Sequence, residues 1–167
     1  TGHAEGYKSI AARSGYTENT LTPHAQGTGT SSWVNAISHA EGNATIAQGL
    51  GVHSEGERTF ANERATHTEG KDTVAKSEYS HAEGHKSVAG AGPDNGTVAH
   101  AEGESTKATS WASHAEGYQS VANGWISHAE GAKTLAGTGN QPTAYDDDTD
   151  GRFAHAEGNG SFAKGSA

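Results

Sequence analysis

Histidine and glutamate recur together along this chain, and both side chains can do chemistry. The tetrapeptide His-Ala-Glu-Gly, or a close variant, contains ten of the eleven histidines. Imidazole and carboxylate groups can exchange protons, ligate metal ions or hydrogen-bond to each other. Glu stands two residues after His in nine copies, and Gln26 replaces it in the other. The copies begin at His3, His24, His39, His53, His67, His81, His100, His114, His128 and His155.

Three roles for these pairs can be weighed from the sequence. A catalytic acid and base need one distinctive pocket, so near-identical repetition argues against an enzyme. A stack of three-histidine rings on a threefold axis would suit a transition metal, and this interpretation stays open. A hydrogen-bonded seam uses every pair, because each Glu can accept a hydrogen bond from the imidazole of a neighbouring chain. The predicted seam residues are His3, Glu5, His39, Glu41, His53, Glu55, His67, Glu69, His81, Glu83, His100, Glu102, His114, Glu116, His128, Glu130, His155 and Glu157.

The same pairs predict a response to pH. A histidine beside carboxylates is expected to favour its charged form. On this basis acid should weaken the protein only once the glutamates themselves take up protons.

The spacing of the tetrapeptides predicts the fold. Copies from His39 to His81, and again from His100 to His128, lie 14 residues apart. Ser or Thr follows six residues after each repeat His, and Ala follows eight after it in nine copies. This alternation of small and large residues is typical of strands with one small-residue face. Gly, three residues after every repeat His, is expected to permit the corner between strands.

Two strands and two corners per 14 residues predict an all-β parallel β-solenoid. The repeat covers residues 1–167 as a single domain of about ten coils, each enclosing Ala, Ser and Thr. Leu, Ile, Val and Phe number only 16 of 167 residues, too few for an ordinary core. The net charge of −9 disfavours a nucleic-acid partner. No apolar run is long enough for membrane insertion, and the lack of Cys excludes thiolate metal sites.

Interruptions of the repeat at residues 13–23, 90–97 and 137–153 contain the three prolines and predict loops. Loops on a rigid scaffold often bind partners, here a host receptor or a glycan, although tolerated decorations are the alternative. Asp146, Asp148, Asp150 and Glu157, with Gly151, match the spacing of a calcium-binding loop. The sequence therefore predicts a Ca²⁺ site in this segment, with a solvated acidic turn as the other interpretation.

The repeats resemble those of extracellular fibre proteins. Paired Ser-x-Ala-x-Gly heptads resemble the head domains of trimeric autotransporter adhesins. The Ser-His-Ala-Glu-Gly wording at 38–42, 80–84, 113–117 and 127–131 is similar to repeats of phage tail-fibre and tail-spike proteins. The resemblance implies a left-handed parallel β-roll in an intertwined or side-by-side homotrimer. Adhesin heads carry aliphatic residues where His and Glu stand here, so their apolar trimer interface does not transfer.

The expected function is structural and adhesive. The chain would form a rigid shaft or head of an extracellular trimeric fibre, on a virion or a cell surface, and would display receptor-binding loops. A self-assembling extracellular filament subunit that stacks end to end is the alternative.

Overall fold

The described residues form an all-β structure. The computed structural model describes residues 2–12, 23–33, 37–90, 97–137 and 153–164. These residues contain twenty strands and no helix, and therefore no helix that could cross a membrane. The strands form two parallel ten-stranded sheets, in which each coil contributes one strand to each sheet. The regular 14-residue coils predicted from the sequence are thus present.

The sheet that carries the repeat histidines is called the His sheet. It contains β1 (His3–Tyr7), β3 (His24–Thr28), β5 (Ser38–Asn43), β7 (Val52–Glu57), β9 (His67–Lys71), β11 (His81–His85), β13 (His100–Glu104), β15 (His114–Tyr118), β17 (His128–Ala132) and β19 (His155–Asn159). The second sheet contains β2 (Ile10–Ala12), β4 (Ser31–Trp33), β6 (Ile46–Gln48), β8 (Phe60–Ala61), β10 (Val74–Ala75), β12 (Val88–Ala89), β14 (Lys107–Ala108), β16 (Val121–Ala122), β18 (Leu135–Ala136) and β20 (Phe162–Ala163).

Neighbouring coils are in register at every repeat position. Between β13 and β15, His100 pairs with His114 and Glu102 pairs with Glu116. The register continues across the interruptions of the repeat, since His81 pairs with His100 and His128 pairs with His155. Most residues of the predicted loops lie outside the described part of the chain. The strands on either side of them nevertheless stack as ordinary neighbours.

Small side chains fill the space between the two sheets, as the alternation predicts. The Ala residues one and eight positions after His are almost all buried, and Thr is the largest side chain that is fully buried. Hydroxyl groups satisfy one another across coils: Thr106 Oγ1 donates to Ser87 Oγ at 3.0 Å. Ser87 Oγ in turn donates to the Gly103 carbonyl at 3.0 Å. Many of the buried hydroxyl groups are satisfied in this way, whereas Oγ1 of Thr30, Thr45, Thr73 and Thr134 has no hydrogen-bond partner among the described residues.

The corners are made by residues in the left-handed conformation, at two positions of the coil. One lies five residues after His and the other lies two residues before it, as Ser105 (φ 60°) and Ile126 (φ 52°) illustrate. The amide of each hydrogen-bonds to a carbonyl of the preceding coil, Ser105 to His85 at 2.7 Å and Ile126 to Trp111 at 2.9 Å. The corners therefore continue the hydrogen-bond ladder of the sheets.

The expectation that the repeat glycine makes the corner is wrong. Gly103 lies within β13, with φ 115°, two residues before the corner at Ser105. A Cβ on Gly103 would lie 2.1 Å from the carbonyl oxygen of Gly117 in the next coil. Equivalent contacts of 2.0–2.2 Å recur from Gly6 to Gly131. The glycine is thus required for the close approach of successive coils rather than for the turn.

We expect Gly103→Ala to destabilise the solenoid by about 3 kcal/mol or more, because the backbone of this coil must separate from that of the next coil at Gly117. The matched control is Gly51→Ala, at a corner where an added Cβ meets no atom within 4 Å. Ala65 and Ala112 already occupy equivalent corners at φ 53° and 50°, so this change should alter the free energy of unfolding by about 1 kcal/mol or less. Urea unfolding of both variants measures the difference. Equal midpoints would refute the close-approach role.

Candidate functional site

The repeat histidines form a continuous stack on the outer face of the His sheet. Ring centroids of successive histidines lie 4.6–5.0 Å apart along all ten coils. From His39 to His128 the planes of adjacent rings differ by only 2–11°. The in-register pairing of the strands enforces this geometry, because it places each imidazole directly over its counterpart.

A parallel column of glutamates runs beside the histidines. In the seven inner pairs, from His39–Glu41 to His128–Glu130, Nε2 and Oε2 of the same coil lie 3.4–3.9 Å apart. At these separations imidazole and carboxylate are in contact without a hydrogen bond, and Nε2 of each such histidine is buried without a partner among the described residues. The His and Glu columns together are called the ladder. Pairing of Glu with a neighbouring chain stays a prediction, but each Glu already lies beside its own histidine.

At three positions, His67, His100 and His128, the ladder disfavours the charged form of histidine. Burial lowers the pKa of His100, and the neighbouring His114 and His81 lower it further, while Glu102 and Glu83 raise it less. Burial is also the leading cause of the lowered pKa of His67 and His128, ahead of their histidine neighbours. The expectation that the charged imidazole is favoured is wrong for these three residues, because burial and the neighbouring histidines outweigh the carboxylates. Protonation would set like charges about 5 Å apart, the spacing of adjacent strands.

The predicted metal chemistry is untested by this geometry. Among the described residues, no group of three or more His, Asp or Glu side chains could hold a metal ion. A three-histidine ring needs further chains, so the metal on a threefold axis stays a prediction. Asp146, Asp148 and Asp150 of the predicted Ca²⁺ loop lie outside the described residues. Glu157 lies in β19, where Oε2 is 3.8 Å from Nε2 of His155.

One edge of the His sheet is charged. The residues four and five positions after His are called the charged corner. Some of them form ion pairs between adjacent coils. Arg58 donates to both carboxylate oxygens of Asp72, at 2.6 and 2.8 Å, and Lys71 lies 3.2 Å from Glu57. The hydrogen bond from Arg58 lowers the pKa of Asp72. Sequence reasoning missed these pairs, although their 14-residue separation is a signal that the period supplies.

The opposite edge carries exposed apolar residues, which occur in every coil of its C-terminal half and include Ile37 and Leu50 in its N-terminal half. The residues two and three positions before His form what is called the apolar corner: Tyr79, Val98, Trp111, Trp125, Ile126 and Phe153. All except Trp125 are among the exposed large hydrophobic residues, and Phe153 is 69% exposed. The rings of Trp111 and Trp125 lie 5.5 Å apart at an angle of 45°, so these two tryptophans pack together.

The outer face of the second sheet also carries an apolar column. Its positions lie seven residues after His and are half-buried in the inner coils, for example at Val74, Val88 and Val121. The column is not continuous, because Ser31 and the exposed Lys107 interrupt it. The ladder is therefore the more regular of the two outer faces.

We expect stability to fall as the pH drops from 7 to about 5. A histidine with a lowered folded-state pKa stabilises the fold fully above its unfolded pKa of about 6.5, and this contribution is lost on acidification through that value towards the folded pKa. Replacing His67, His100 and His128 with Gln should flatten the dependence of the urea midpoint on pH. His85→Gln, outside the ladder, is the matched control. A urea midpoint that rises on acidification would contradict the inference. Asp72 does not account for a change between pH 7 and about 5, because its lowered pKa places its titration below this range.

Comparison with known proteins assigns no family to the chain. No family model, curated protein or solved structure matches it at a significant level. The ladder, the two corners and the face of the second sheet therefore carry the functional inference through their own physical chemistry.

Proposed function

We propose that this chain is a structural and adhesive segment of an extracellular trimeric fibre, in which the ladder is the seam between copies. One observation carries the proposal. The outer face of the His sheet repeats one pair of residue types in nine coils of ten. The charged corner changes from coil to coil at equivalent positions, as Arg58, Asp72, Lys86 and Ser105 show.

A face in contact with water alone has no need of the same residues in every coil. A partner that itself repeats once per coil would require such regularity, and a parallel copy of this chain meets that requirement. The side chains of the seven inner pairs are partly exposed, 35–41% for histidine and 44–51% for glutamate, so a neighbouring copy can reach them. A neighbouring copy gives the imidazoles and carboxylates further partners and removes water from between them.

Three copies rather than two are proposed from the resemblance of the repeat to adhesin heads and tail fibres, which also implies the left-handed roll and the extracellular location. The described coils span about 43 Å at about 4.8 Å per coil. Hydrogen bonds connect each coil to the next in both sheets and at both corners, which makes the rod stiff. A stiff rod suits a shaft or head that holds a binding site away from a surface.

The interruptions of the repeat supply the adhesive part of the proposal. They fall between β2 and β3, between β12 and β13, and between β18 and β19, and strand pairing continues across each of them. Chain inserted at these places can vary without disturbing the rod. We therefore assign receptor or glycan binding to the segments at 13–23, 90–97 and 137–153.

The decisive measurement is the native mass in solution, by sedimentation or light scattering, with and without EDTA. We expect a trimer that EDTA does not dissociate. Dissociation of the trimer in EDTA would favour a metal-containing seam over the hydrogen-bonded one. A folded monomer at all concentrations would refute the proposal, and long polymers would favour a filament.

Charge reversal distinguishes the ladder from the second sheet as the seam. We expect Glu102→Arg with Glu116→Arg to dissociate the trimer, because two neighbouring rungs then place cations among the imidazoles. Lys107→Glu, a charge reversal on the outer face of the second sheet, is the control and should leave the trimer intact. If Lys107→Glu dissociates the trimer and the double variant does not, the seam lies on the second sheet.

A further inference from the structure

The apolar corner is unfavourable for a surface that faces only water. Val98 is 52% exposed and Ile126 is 41% exposed, and Tyr79 and Phe153 are also exposed. All four residues adopt the left-handed conformation, with φ between 52° and 63°. This conformation is rare for bulky residues and rarest for β-branched ones such as Val and Ile. Exposure and backbone strain thus occur together at the same four residues.

The opposite corner shows that the fold does not require apolar residues at such positions. Its left-handed residues include Lys86, Ser105, Gln119 and Lys133, with the same range of φ. On the same edge as the apolar corner, Ala65 and Ala112 adopt the left-handed conformation at φ 53° and 50° with only a methyl side chain. The left-handed backbone therefore does not require large apolar side chains, and those of the apolar corner call for a contact that compensates for their exposure.

The location of this edge indicates what makes the contact. Each left-handed residue of the apolar corner precedes a ladder histidine by two positions, so the corner borders the proposed seam along its length. Its side chains recur once per coil, and a partner that matches them over five coils needs the same repeat. A second copy of the chain has that repeat.

In a closed ring of three chains, one edge of each chain meets the opposite edge of the next. The edge opposite the apolar corner is the charged corner, where Lys86 and Lys133 are exposed. Lysine stems cover apolar surface while their ammonium groups remain in water, and cations lie favourably over aromatic rings. The apolar corner already shows this chemistry within one chain, because the guanidinium of Arg64 lies 6.0 Å from the ring centre of Tyr79.

We propose that the apolar corner of each copy packs against the charged corner of the next copy, forming the side contacts of the trimer. This inference rests on the proposed trimer and names a second surface that holds it together. The ladders of the three copies then meet at the threefold axis. The apolar corner of each copy and the charged corner of the next form the three contacts farther from the axis.

The test is Val98→Asn combined with Ile126→Asn, examined by sedimentation over a range of protein concentrations. Asn tolerates the left-handed conformation, so the change relieves strain while removing the apolar contact. We expect the trimer to dissociate at a concentration at least about tenfold higher than for the unmodified chain. The matched control is Ala65→Asn, at the same position of an earlier coil, which should not change the dissociation.

The outcomes separate this inference from the proposed function. If the double variant is trimeric over the same range of concentrations as the unmodified chain, the apolar corner is not an interface. This result would leave the proposed ladder seam unaffected. If the unmodified chain is a monomer, both proposals fail. Circular dichroism checks that the variant folds, and Val98→Ala with Ile126→Ala replaces it if it does not. The alanine pair must then show the same weakening for the inference to hold.

Discussion

Every coil of this protein lies in register on the next, and the remaining features of the structure depend on that backbone pairing. Parallel strands pair each residue with its counterpart one repeat away, from Ala101 with Ala115 to Gly103 with Gly117. The pairing is tight enough that a single methyl group on Gly103 would meet the next carbonyl at 2.1 Å. Insertions are accommodated only where they leave this pairing intact.

The same constraint places like side chains on like side chains. For the core this is favourable, because Ala packs on Ala and hydroxyl groups bond from coil to coil. For the ladder it has two opposite effects. Neutral imidazoles stack in parallel at about the strand spacing, whereas charged imidazoles would repel each other at that distance. Burial within the stack, followed by repulsion from His114 and His81, lowers the pKa of His100.

At the corners the backbones of successive coils still form hydrogen bonds, but the side chains at equivalent positions differ in type. The charged corner alternates signs from Arg58 through Asp72 to Lys86, so Arg58 of one coil contacts Asp72 of the next. The apolar corner instead places bulky residues in a strained conformation, as at Ile126 (φ 52°). The rod therefore presents a regular ladder face with two chemically different edges. Such asymmetry suits assembly in which each edge meets a different one.

The sequence by itself determined the repeat, the two strands per coil, the small-residue core and the shared outward face of His and Glu. These features follow from a period of 14 residues and from alternation within it, which are local properties of the chain. The insertions could also be located, since the period fails there. The contact between His39 and Glu41 within one chain could also have been predicted from the sequence, because the two residues share a strand face.

Only the tertiary structure decided the role of the repeat glycine, the position of the corners and the direction of the histidine pKa shift. Gly103 was expected at a corner because glycine permits turns, but the distance to the next backbone is a property of two stacked coils. The pKa of His100 depends on His81 and His114, whose distances the stacking fixes, and on how much water the stack excludes. The strain at Val98 and Ile126 is likewise visible only in the backbone angles. In each case the deciding quantity is a distance or an angle set by neighbouring coils, which the spacing of residue types along the chain does not contain.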